Sequence, residues 1–141
     1  MVPGLRRGSE PMNQEIKRGR IKLLLVDDEA AYVNVLANRM ARRHIEVTKA
    51  LSGTEGIQAL RKEDFDVAIL DLKMEDMDGI EVLKVFKKMV PTLPVIMLTG
   101  HGSEKAAREG IELGASDYLT KPCGLEELIE KIKAAIRLEG S

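Results

Sequence analysis

Five short apolar runs punctuate the chain, at 21–26, 45–50, 67–70, 95–98 and 115–119. The first, third and fourth are nearly continuous in Leu, Ile, Val and Met. A strand with one face in water alternates apolar and polar positions, whereas a strand covered on both faces does not. These three runs therefore read as strands buried on both faces, as in a parallel sheet. The intervening segments carry helical spacing. Ala30, Val33, Leu36, Ala37 and Met40 form one stripe, and Ile80, Leu83, Phe86 and Lys87 begin another that Pro91 stops. Leu125, Leu128, Ile129, Ile132 and Ile136 form the last, with Glu126, Glu127, Glu130, Lys131 and Lys133 facing outward. Shorter helices are predicted at 53–62 and 103–113. All these stripes read as core packing, and no internal repeat is visible. Five strand–helix units predict an α/β fold, a doubly wound parallel sheet with helices on both faces. Sheets of that kind bind ligands beyond the carboxyl ends of their strands, where the strand order reverses.

The residues at those strand ends carry the chemistry. The first run stops at Asp27-Asp28-Glu29, the third at Asp71, the fourth at Thr99-Gly100, and the fifth at Thr120-Lys121-Pro122. If the strands are parallel, three carboxylates, a hydroxyl and an ammonium gather at one edge. Clustered carboxylates repel one another, and burial disfavours their charged forms unless a cation compensates. Oxygen-only ligands of this number suit Mg²⁺ better than an all-protein Ca²⁺ cage. An anion between the metal and Lys121 completes the balance, and a phosphoryl group is the natural candidate. Each signal alone is weak. Asp27-Asp28-Glu29 also reads as an acidic helix start, Thr99 as a turn residue, and Lys121-Pro122 as a loop pair.

Composition narrows the classes further. The 22 basic and 23 acidic residues give no basic excess for a nucleic-acid surface, and 3% aromatic content supplies no stacking platform for single strands. One cysteine, Cys123, excludes an internal disulfide, and with two histidines it makes a poor zinc set. The expected setting is cytoplasmic, with no apolar run of the ~20 residues that a membrane helix needs. Residues 1–20 read as a disordered or vector-derived tail, and 139–141 as a C-terminal tail whose Gly140-Ser141 suggests that an output domain was removed.

Taken in order, the stretches Val26-Asp27-Asp28-Glu29, Leu70-Asp71-Leu72-Lys73-Met74, Met77-Asp78-Gly79, Leu98-Thr99-Gly100 and 114–122 (GASDYLTKP) are specific. Together they resemble the receiver domain of bacterial two-component response regulators, over roughly 21–138. The resemblance implies a flavodoxin-like (βα)5 sheet with strand order 2-1-3-4-5. It implies that Asp71 accepts a phosphoryl group from a histidine kinase or phosphotransfer protein. Asp28, Asp71 and the backbone carbonyl of Lys73 would bind Mg²⁺ directly, and Asp27 through water. Thr99 and Lys121 would engage the phosphoryl oxygens, the Lys121–Pro122 peptide would be cis, and Tyr118 would report the active state. The implied output is a changed surface on the fourth helix, fifth strand and fifth helix that controls a partner or domain, or forms a homodimer, without direct nucleic-acid contact. The chain would be a self-phosphorylating switch rather than an enzyme.

Two positions depart from the family pattern. Glu75 stands where receivers commonly carry Pro, and Cys123, expected to be a small buried hydrophobe, replaces a large apolar residue. Lys73 and His101 are expected to flank the phosphoryl site, with His101 and His44 exposed. The main rival is a Mg²⁺-dependent phosphatase or phosphotransferase of the haloacid dehalogenase type with an Asp nucleophile. That chemistry needs a second Asp two residues after the first, and position 73 is Lys.

Overall fold

The computed structural model describes residues 20–100 and 103–140. Expectations placed on residues 1–19, His101 and Ser141 lie outside the described residues. Five strands alternate with five helices: β1 (Ile21–Val26), α1 (Ala30–Ala41), β2 (Ile45–Ala50), α2 (Gly53–Lys62), β3 (Val67–Asp71), α3 (Gly79–Met89), β4 (Val95–Thr99), α4 (Glu104–Glu112), β5 (Asp117–Thr120) and α5 (Leu125–Gly140). The sheet is parallel throughout, in the order β2-β1-β3-β4-β5.

The apolar runs explain that order. Strands β3 and β4 are buried along their whole length, and β1 at all but Lys22, as central strands must be. Exposed positions interrupt β2 and β5, which are the edges. Side chains alternate between two cores. Leu23, Leu25, Ile69, Ile96 and Leu98 meet Val33, Leu36 and Met40 of α1 and Leu128, Ile129 and Ile132 of α5 on one face. Leu24, Val26, Leu70, Val95 and Met97 meet Leu60 of α2 and Val82, Leu83 and Phe86 of α3 on the other.

β3 and β4 each extend one residue past their predicted runs, to Asp71 and Thr99, and β5 departs furthest from its own. The run at 115–119 forms a strand only from Asp117, because the N–H of Ala115 donates to the Gly110 carbonyl at 3.0 Å and so finishes the turn after α4. Gly114 at φ +112° makes that turn. Cys123 is partly buried at the edge of the α1–α5 core, not fully enclosed. His44 is exposed as predicted, and it turns the chain from α1 into β2 with φ +64°.

The chain runs from β1 outward to β2 and then returns to β3 on the other side of β1. The carboxyl ends of β1 and β3 thus border the point where strand order reverses. Pairing of Val26 with Leu70 brings Asp27 and Asp71, the next residue on each chain, to the same level. Gly79, at the start of α3, packs against the backbone that leaves β3. A Cβ there would overlap the Leu72 Cα and lie 2.8 Å from the Leu72 oxygen and 2.9 Å from the Asp71 oxygen. Backbone atoms cannot yield as a side chain can, so Gly79→Ala is expected to cost about 2–4 kcal/mol. Urea unfolding of the two chains measures the difference, and equal midpoints would contradict the packing argument.

Candidate functional site

The carboxyl edge of the sheet collects the predicted groups. One carboxylate oxygen from each of Asp27, Asp28 and Asp71 lies within 4.8 Å of the other two. Asp27 is fully buried. Its Oδ1 accepts from the Glu29 backbone N–H at 3.0 Å, and its Oδ2 accepts from Lys121 Nζ at 2.7 Å. Asp28 accepts the Glu75 backbone N–H at 3.0 Å. The acidic triplet is therefore more than a helix start: Glu29 stands at the N-cap of α1 but makes no side-chain cap bond, while Asp27 points into the pocket.

Asp71 ends β3 and is almost wholly enclosed. Its Oδ1 accepts from the Lys73 backbone N–H at 3.3 Å, and its Oδ2 lies 3.7 Å from Lys121 Nζ. These contacts are longer than those of Asp27, so the Asp71 oxygens are the less firmly engaged. Burial first, and the charge of Asp27 second, push the Asp71 carboxyl up to about 6 against the opposing pull of Lys121.

Lys121 follows β5, and its peptide bond to Pro122 is cis, as predicted. Burial pulls the Lys121 ammonium down. The hydrogen bond to Asp27 and the charges of Asp71 and Asp27 outweigh that and hold it above its ordinary value. Thr99 ends β4 and is buried, with its hydroxyl 3.4 Å from the Leu119 carbonyl and 3.5 Å from the Thr120 hydroxyl. The hydroxyl is thus turned toward β5. Tyr118 lies on β5 with much of its ring in solvent.

Three side chains escaped the sequence reading. Glu29 forms a second ion pair with Lys121 at 3.2 Å. The ring of Tyr32 lies 4.6 Å from the same ammonium, a cation–π contact. Tyr32 lies in the first turn of α1, and its apolar-stripe neighbours gave no sign that it would reach the pocket. Burial first, then the neighbouring Cys123, push its phenol up to about 12. Asp76, in the loop between β3 and α3, accepts from the first two N–H groups of α2. Nothing in the sequence pointed to that pairing, because it joins a loop to a helix start 22 or 23 residues away.

Charge bookkeeping says what the pocket can take. Three carboxylates face one partly buried ammonium, leaving two negative charges, with Glu29 adding another at the exposed rim. The donors are all carboxylate oxygens, the set that selects a hard divalent cation. The residues present therefore fit Mg²⁺.

Comparison with known proteins agrees. The response regulator receiver domain family matches residues 23–133. The transcriptional regulatory protein ZraR of Salmonella typhimurium is 34% identical over 119 residues, which cover 84% of this chain and 27% of that protein. The alkaline phosphatase synthesis transcriptional regulatory protein PhoP of Bacillus subtilis is 36% identical over 116 residues, covering 82% of this chain and 48% of that one. The chain thus spans between a quarter and a half of these relatives. Among solved structures, a response regulator receiver domain protein from Clostridium thermocellum superposes with a TM-score of 0.81 at 34% identity, covering 84% of this chain and 96% of that one. A CheY-like receiver domain protein from Methanospirillum hungatei JF-1 gives 0.81 at 31% identity, covering 85% and 96%. None of these matches supports the phosphatase alternative. Fold, pocket and relatives converge on one family: the chain belongs to the response regulator receiver domains, the phosphorylation-dependent switches of two-component signalling.

Proposed function

We propose that Asp71 is the phospho-acceptor of this receiver, with 21–138 as the functional unit. The observation that carries the proposal is the placement of Asp71 within 4.8 Å of two further carboxylates and 3.7 Å from Lys121. In this reading Asp28, Asp71 and the Lys73 carbonyl hold Mg²⁺, and Asp27 reaches it through water. When bound, the metal neutralises charge on the phosphoryl oxygens and orients them for in-line attack.

The remaining work falls to the chain's own groups. A carboxylate oxygen of Asp71 forms the new O–P bond as the P–N bond of a phosphohistidine breaks, and the donor ring, already protonated on its other nitrogen, leaves as neutral imidazole. Lys121 is held by Asp27 at the edge of this space and pairs with a phosphoryl oxygen once one arrives. The added charge of roughly −1.5 to −2 gives the Thr99 hydroxyl a better acceptor than the strand contacts it now makes. Its inward movement leaves room into which Tyr118, now exposed on β5, can turn. That rearrangement reshapes the face formed by α4, β5 and α5 and controls a partner, an attached output domain or a second copy of the chain. Receivers work with histidine kinases or phosphotransfer proteins, and the donor here is of that class. No helix among the described residues is long and apolar enough to cross a membrane.

Incubation with Mg²⁺ and a small-molecule phosphodonor, followed by intact mass, is expected to show a single phosphoryl adduct. The adduct should disappear in Asp71→Asn and when the metal is chelated. Turnover of many phosphate esters without an adduct would instead indicate the hydrolase.

Stability offers an independent check. The folded protein holds the Asp71 proton more tightly than the unfolded chain does. The metal-free fold therefore loses stability as pH rises from 3.8 through about 6, where folded Asp71 ionises. Asp71→Asn removes that penalty. Without divalent cations at pH 8 the variant should melt higher than the unaltered chain by about 3–8 °C, and the gap should close toward pH 4.5. An equal or lower melting temperature at pH 8 would refute the electrostatic account.

A further inference from the structure

Asp76 makes contacts that the phosphoryl chemistry does not require. Its Oδ1 accepts from the Gly53 N–H at 2.9 Å, and its Oδ2 accepts from the Thr54 N–H at 3.1 Å and the Thr54 hydroxyl at 3.0 Å. These groups open α2, which already has its own cap: Ser52 Oγ accepts from the Glu55 N–H at 3.0 Å. Asp76 therefore adds a long-range tie to a helix whose start is locally satisfied. The charge suits the end of the helix it meets. The Gly53 N–H first, against a smaller effect of burial, holds its carboxyl below the ordinary value.

The tie presses the β3–α3 loop onto α2. Where a Cβ on Gly53 would stand, Val82 Cγ2 comes within 2.8 Å and Met77 Cβ within 3.1 Å, so the missing side chain is what permits the close approach. The neighbouring residue in this loop, Glu75, turns its backbone N–H onto Asp28 Oδ2 at 3.0 Å. A proline at position 75, common in receivers, has no N–H and could not make this bond. The contact depends on this chain's own residue while using none of its side chain.

We propose that Asp76 is a positioning residue for the cation pocket, fastening the β3–α3 loop to the start of α2 so that the Glu75 N–H fixes the Asp28 carboxylate. The inference rests on the reading of Asp28 as a cation ligand. Hydrogen bonds that orient a ligand from behind set metal affinity without touching the metal. The clasp acts on Mg²⁺ binding, and through it on phosphorylation at limiting Mg²⁺.

Calorimetric titration of the full chain with Mg²⁺ tests this, alongside thermal melts and the phosphodonor assay. Asp76→Ala is expected to weaken Mg²⁺ binding about tenfold, and Asp76→Asn, which keeps one acceptor oxygen, to fall between. Glu75→Pro, lacking the N–H, should bind Mg²⁺ several-fold more weakly than Glu75→Ala, which retains it. A lower melting temperature for Asp76→Ala with Mg²⁺ affinity indistinguishable from the unaltered chain would overturn the clasp. So would equal affinities for the two Glu75 variants, a comparison that stands even if Asp76→Ala fails to fold. If the affinity contrasts hold but Asp71 takes no phosphoryl group, the acceptor assignment fails and the clasp survives. If the unaltered chain binds no Mg²⁺, both fall.

Discussion

Three carboxylates share one small pocket with a single partly buried ammonium, and in the proposed reading that imbalance governs how the switch works. Asp27 alone is well compensated, by a 2.7 Å contact to Lys121. Asp71, at 3.7 Å from the same ammonium, is not. Its carboxyl is pushed up to about 6, so in the proposed reading proton and cation compete for one place. A switch gains from this arrangement. A pocket neutral without its ligands would have little reason to move when a phosphoryl group arrives, whereas here an added anion competes for partners already under tension between several groups.

Lys121 is the group most contested. Asp27, Glu29, Asp71 and the Tyr32 ring all lie around its ammonium. These groups come from the ends of β1 and β3 and from the first turn of α1, so the lysine that follows β5 joins the middle of the sheet to its far edge. The fold makes this convergence possible through register. Val26 beside Leu70 sets the two aspartates level, and Thr99 beside Thr120 brings the hydroxyl to the strand that leads into Lys121.

Much of this was legible in the sequence, for identifiable reasons. Parallel strands covered on both faces leave unbroken apolar runs, so the bounds of β1 could be read directly, and the runs at 67–70 and 95–98 needed only Asp71 and Thr99 to complete β3 and β4. Polar residues that stop such runs lie at one sheet edge by geometry alone, which is why Asp27, Asp28, Asp71 and Lys121 could be assigned to one pocket in advance. β5 was misplaced by two residues because Ala115 is apolar for another purpose, closing the turn after α4. The contributions of Glu29, Tyr32 and Asp76 could not be read with the same ease. Each depends on which loop lies against which, and neither apolar period nor motif order encodes the approach of the β3–α3 loop to α2.

The charge imbalance can be observed at its source. Carboxyl-carbon NMR of selectively labelled aspartate, with the Asp71 signal assigned through Asp71→Asn, follows that one group as pH changes. The account predicts an Asp71 titration near 6 in metal-free protein and a marked fall in that midpoint when Mg²⁺ is added. An Asp71 carboxyl that titrates in the ordinary aspartate range and ignores Mg²⁺ would contradict it.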